Sequence, residues 1–133
     1  MRQVFLDTVG LLAIWDETDP WYTAAEQAWQ AIVASRAALA TTSYVLLECG
    51  NAVARSPFRA DVDELRRRLE RSRMLYHPTE NEWLEAWTPY VRREAAEAGI
   101  VDHVSFVVMR RLGITDAFTN DRHFKAAGFN TLF

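Results

Sequence analysis

Four carboxylates in this chain stand where a carboxylate is costly. Asp7 closes the apolar run Val4-Phe5-Leu6, and Glu48 lies among Leu46, Leu47 and Cys49. Asp102 precedes Val104, Phe106, Val107 and Val108, while Asp121 follows Phe118-Thr119. A charge among apolar neighbours is expensive unless it faces a crevice or holds a cation. Singly, each has an ordinary explanation. Asp7, Asp102 and Asp121 can cap the helices that follow them, and Glu48 can pair with Arg55 or Arg36. As a set they point to convergence. Asp7 and Asp121 fall at the carboxyl ends of strands, where open α/β sheets bind ligands. Glu48 and Asp102 occupy helix positions able to face the same crevice.

Like charges brought together cannot all ionise without a cation. Oxygen ligands, with neither a cysteine set nor a histidine cluster, favour magnesium over zinc, with manganese as a substitute. Such an ion lowers the pKa of water and neutralises charge on phosphoryl oxygens, the two needs of phosphodiester hydrolysis. No covalent nucleophile is required, and neither a Ser-His-Asp nor a Cys-His arrangement stands out. His103 beside Asp102 and His123 beside Asp121 stay outside this reading, because adjacent residues on a helix point different ways.

Short strands alternating with helices must position these acids. Residues 2–7 read as a buried strand, and Leu11, Leu12, Ile14 and Trp15 as the helix after it. Asp19-Pro20 supplies an N-cap and a first-turn proline for a helix reaching about residue 36. Residues 39–41 form a strand, and Thr42 or Ser43 caps a helix ending before Ser56-Pro57. A further helix covers about residues 60–72, and residues 74–77 are a strand closed by Pro78. Thr79 and Glu82 make a capping box. The helix it opens carries the stripe Trp83, Leu84, Trp87, Tyr90 and Val91, read as buried, with a kink or break at Pro89. Helix 102–112, strand 117–119, a helical turn at 123–127 and strand 130–133 complete the chain. This alternation implies an α/β fold: a short, mostly parallel sheet between two helical layers. Strand order is not legible at this level.

The length, 133 residues, suits a single domain, and a composition that is half hydrophobic provides a real core. Cys49 is the one cysteine, which excludes an internal disulfide and fits a reduced, cytoplasmic setting. No apolar run approaches the roughly 18 residues of a membrane span, and the first residues lack the apolar segment of a signal peptide. Net charge is −3, which argues against a nucleic-acid partner until the four acids are set aside. Fifteen basic residues then face fourteen acids.

The chain also resembles a known family. Asp7 after Val4-Phe5-Leu6, Glu48 with Asn51, Asp102 with Ser105, the run Thr119-Asn120-Asp121-Arg122-His123-Phe124 and Gly128-Phe129 resemble a PIN-domain ribonuclease. The match is to the VapC branch of toxin–antitoxin systems. It spans essentially the whole chain, and residues 102–111 and 119–129 are its specific parts. Val101 departs from it, since many relatives carry Thr or Ser before the third acid. The resemblance implies a PIN-like three-layer α/β/α fold with Asp7 and Asp102 as main magnesium ligands. Glu48 and Asp121 would complete the catalytic site, and Thr119, Ser105 and Asn51 would orient the carboxylates. It further implies cleavage of single-stranded or looped RNA, a homodimer, and neutralisation by a cognate antitoxin protein.

RNA would have to be held against net negative charge. Residues 55–73 carry seven arginines against four acids. Arg55, Arg66, Arg67 and Arg71 are therefore candidate contacts for RNA phosphates or for an acidic antitoxin segment. A solvated helix face laced with Asp63, Glu64 and Glu70 is the plain alternative. Two rival readings remain for the whole chain. One is a catalytically inactive α/β domain that acts by partner or RNA binding. The other is a phosphoryl-transfer enzyme of the haloacid-dehalogenase kind, which wants a second Asp two residues after the first; position 9 is Val.

Overall fold

The computed structural model describes all 133 residues. Five strands form the sheet: β1 (Gln3–Leu6), β2 (Ala38–Thr42), β3 (Leu75–Tyr76), β4 (Asp116–Phe118) and β5 (Asn130–Thr131). All pairs are parallel, in the order β3-β2-β1-β4-β5. The central strand has no face left for water, with Val4, Phe5 and Leu6 all fully buried. A strand covered on both sides reads as a continuous apolar run rather than an alternation, as this one does.

Eight helical segments surround the sheet, giving the expected α/β architecture. They are α1 (Thr8–Trp15), α2 (Tyr22–Ala34), α3 (Ser43–Ala52), α4 (Arg59–Arg71), α5 (Glu80–Val91), α6 (Glu94–Glu97), α7 (Ile100–Leu112) and α8 (Arg122–Ala126). Among them α7 is the most enclosed, burying Val104, Phe106, Val108 and Met109. Phe106 packs edge-on against Phe124 of α8 at 4.9 Å, and Trp29 of α2 lies 5.3 Å from Phe118. No helix is long and apolar enough to cross a membrane.

Several boundaries differ from the sequence expectation for local reasons. Asp19 does not cap α2; its carboxylate accepts from the Trp21 backbone at 2.8 Å, making a turn, and the helix starts at Tyr22. Helix α7 begins at Ile100, two residues before Asp102. The Thr79–Glu82 capping box is present, and α5 runs through Pro89 without a break, ending two residues later at Val91. The larger correction concerns the face of α5. Its apolar stripe is not buried: Trp83, Leu84, Trp87, Tyr90 and Val91 are 40, 52, 37, 40 and 73% exposed. The buried residues of α5 are Ala86, which lets α7 approach closely, and Glu82, which pairs with Arg111. Periodicity identifies a helix with one apolar face; it cannot say that this chain covers that face.

Between α5 and α7 the backbone turns left-handed. Arg93, Ala95, Ala96 and Glu97 have φ from 53° to 63°, a region costing roughly 1–2 kcal/mol per non-glycine residue.

Helix α1 lies hard against the end of β4. A Cβ added at Gly10 would stand 2.0 Å from the Phe118 carbonyl oxygen. We therefore expect Gly10→Ala to cost about 3 kcal/mol, the upper range for overpacking, because backbone must move. Chemical denaturation would register it as a lowered midpoint with little change in slope.

Candidate active site

The strand order puts the topological switch of the sheet between β1 and β4. From β1 the chain builds outward through β2 and β3, then returns to lay β4 and β5 on the other side. The crevice at the carboxyl ends of two such strands is the usual ligand site of an open α/β sheet. Asp7 stands there, 2% exposed, directly after β1. It also caps α1, so the two readings of this residue hold together. Asp7 Oδ2 accepts from the Val9 backbone at 3.3 Å and from the Thr119 hydroxyl at 2.8 Å. Thr119 follows β4, so this bond ties the two strand ends across the switch.

Thr119 Oγ1 in turn accepts from the Asp121 backbone at 3.0 Å. Asp121 caps α8, its Oδ1 accepting from the His123 backbone at 2.9 Å. Asp102 is not a cap: Gly99 takes that role, and Asp102 sits in the first turn of α7. Glu48 pairs with neither Arg55 nor Arg36. Its Oε1 accepts from the Thr8 hydroxyl at 2.7 Å instead.

These acids lie near enough to repel one another. Burial pushes the Asp7 carboxyl up to about 7, helped by repulsion from Asp102 and Asp121, against the bonds from Thr119 and Val9. Asp102 is also raised to about 7, first by burial, then by Asp121 and Glu48, against a bond with the Gly99 backbone. Each of the four acids thus acts on at least one other. Asp102, Asp121 and His123 each place one donor atom within 4.8 Å of the others. Carboxylates crowded enough to hold protons near neutrality, beside one imidazole, fit a divalent cation.

The remaining candidates divide. Ser105 is fully buried and its hydroxyl has no partner, and Asn51 is exposed without a bond to any acid. Asn51 and Glu48 line a groove of about 370 Å³ whose other walls include Tyr44, Leu47, Trp83 and Trp87. Arg66 pairs with Asp63 and Glu70, and Arg67 with Asp63, on an exposed face of α4. Arg55 and Arg71 are exposed. Two contributors escaped the sequence reading. Thr8 had a signal, a hydroxyl opening a helix directly after an acid. His123 was set aside on helix geometry, but Asp121 is a cap with extended backbone, and that turn brings the ring to its carboxylate, 2.7 Å from Nδ1 to Oδ1. His103 does point away, its ring packed between Tyr90 and Phe106.

Residues 4–130 match the PIN domain family. The chain belongs to the PIN-domain family. PIN domains are generally metal-dependent, in keeping with the acid cluster. The chain is 32% identical over 127 residues to the "23S rRNA-specific endonuclease VapC20" of Mycobacterium tuberculosis, in strains CDC 1551 and H37Rv, covering 95% of each sequence. The crystal structure of M. tuberculosis VapC20, described as a Sarcin-Ricin loop cleaving toxin, superposes with a TM-score of 0.81 at 29% identity, over 96% of both chains.

The raised carboxyls make a thermodynamic prediction. Asp7 and Asp102 titrate near 3.8 in the unfolded PIN chain and near 7 when folded, so the folded state binds more protons between those values. Their stabilising contribution is complete below the lower value and is lost as pH rises through the upper one. In chelator, the melting temperature should fall by roughly 5–10 °C between about pH 4.5 and 7.5. Millimolar magnesium should remove most of that fall by binding only the folded state. A melt indifferent to both variables would show that the acids do not share a cation site.

Proposed function

We propose that this PIN domain, a single domain over the whole chain, is a magnesium-dependent endoribonuclease and the toxin of a toxin–antitoxin pair. The reading is supported above all by the mutual repulsion of Asp7, Asp102, Glu48 and Asp121 beside the β1–β4 switch, which together with burial pushes the Asp7 and Asp102 carboxyls up to about 7. The likeness to VapC20 supports RNA as substrate and a cognate antitoxin as partner. A cytoplasmic location follows from that substrate.

Each side chain has a task in this reading. Asp7 and Asp102 are the principal ligands, and Glu48 and Asp121 complete the negative charge that captures magnesium, or manganese in its place. When bound, the ion supplies Lewis acidity toward the phosphodiester and a lowered pKa for water. The protein's own contribution is orientation. Thr119 fixes Oδ2 of Asp7, and Thr8 fixes Oε1 of Glu48, leaving one oxygen of each carboxylate free of side-chain bonds. Ser105 and Asn51, expected from the resemblance to share this task, bond to no carboxylate, so it falls to Thr119 and Thr8. Arg55 and Arg71, together with Arg66 and Arg67, present the positive charge that either RNA or an acidic antitoxin segment would meet.

The homodimer is proposed to form through the exposed stripe of α5. Contiguous apolar surface of this kind marks an interaction site. Glu80 lies at one end of the helix and Arg92 and Arg93 just past the other. An antiparallel, two-fold pairing would set unlike charges against each other around Trp87.

Two measurements test these statements. Asp7→Asn and Asp102→Asn should each lower the rate of magnesium-dependent RNA cleavage at least ~100-fold while the circular dichroism spectrum is retained. A domain that acts only by binding would show no cleavage for them to lower. Trp87→Glu should convert a dimer to a folded monomer in light scattering, and a wild-type protein already monomeric at micromolar concentration would refute the interface.

A further inference from the structure

We propose that His123 is a direct ligand of the bound ion, joining Asp102 and Asp121 in a mixed nitrogen–oxygen set that favours manganese over magnesium. This rests on the reading above that the acid cluster holds a divalent ion.

The geometry begins with the cap of α8. The His123 backbone donates to Asp121 Oδ1 at 2.9 Å, which folds the carboxylate back over the helix start and brings the ring alongside. Nδ1 then lies 2.7 Å from that same oxygen, yet it is closed to solvent and makes no well-formed hydrogen bond. A nitrogen lone pair and a carboxylate oxygen at this separation repel each other. Positive charge shared between them removes the repulsion. Asp102 brings a third donor atom from α7, and all three lie within 4.8 Å of one another. Donors on an ion with bonds of about 2.1 Å are roughly 3 Å apart when adjacent and roughly 4.2 Å when opposite, so the His123–Asp121 pair already stands near the adjacent spacing and Asp102 has a modest closure to make.

The alternative is that Nδ1 carries a proton and only steadies Asp121. The two differ in chemistry. An imidazole bound to the ion adds a softer donor, which raises affinity for a transition-metal ion such as manganese more than for magnesium, which prefers oxygen alone. An imidazole that orients a carboxylate acts on both ions alike. Asp7 and Glu48 offer oxygen alone, so the preference should reside in this histidine.

Electron spin echo measurements on the manganese-loaded full chain should show ¹⁴N coupling from a bound imidazole. His123→Ala should abolish it, which also separates it from His77 and His103. By spin-resonance titration the variant should bind manganese 10- to 100-fold more weakly. By calorimetry its magnesium affinity should change less than about threefold, since an oxygen-preferring ion gains little from the nitrogen. His123→Gln, which keeps the bulk of the side chain, should reproduce both results should the alanine variant fold poorly. Absence of ¹⁴N coupling in the wild type, or equal weakening for both ions, would overturn the assignment while leaving the acid site standing. Wild-type protein that binds neither ion, or an Asp102→Asn variant that binds both as wild type does, would overturn the nuclease reading and this inference together.

Discussion

Repulsion among carboxylates that the fold forces together is the constraint on which the rest depends. Asp7 and Asp102 are both pushed to about 7, and burial is the first cause in each case. A stable sheet would normally place neutral residues at the buried ends of its central strands. Here those ends carry charge, and the surrounding bonds soften the cost without removing it. Thr119 links Asp7 to the Asp121 backbone, and Thr8 reaches across to Glu48. These hydroxyls hold the acids at fixed spacing, which ties part of the fold's stability to whatever neutralises them.

The same constraint explains how tightly the elements around β1 and β4 are built. Thr41 of β2 donates to the Leu6 carbonyl at 2.6 Å, bracing the strand end just before Asp7. Gly10 lets α1 approach Phe118, the residue before Thr119. Cys49, fully buried one residue past Glu48, is pushed up to about 12, mainly by burial, and so behaves as a neutral packing group. The site is therefore positioned from the core outward. Side chains such as Asn51, at its outer edge, are exposed and free of such support.

Much of this was legible in the residues. The run before Asp7 reads as a buried strand because Val4, Phe5 and Leu6 admit little else, and the capping box at Thr79 has a fixed spacing. The four acids stood out by their apolar neighbours. Strand order did not, because it depends on which pairings the helices allow, and without it the meeting of Asp7 with Thr119 is invisible. The burial of α5 was misread for a related reason. An apolar stripe looks the same whether it meets this chain's core or faces away from it, and only the packing of Ala86 against α7 decides between them. The meeting of the His123 ring with Asp121 was not visible either, because helix geometry does not hold at a capping residue with extended backbone.

The two edges of the sheet carry one more consequence. β3 and β5 are two residues each, Leu75–Tyr76 and Asn130–Thr131. So short a rim offers another polypeptide almost no backbone on which to continue the ladder. Fibril growth and strand-donation complexes are thereby discouraged. What the molecule offers a protein partner instead is the side chains of its helices, which select by shape and charge rather than by main-chain hydrogen bonds.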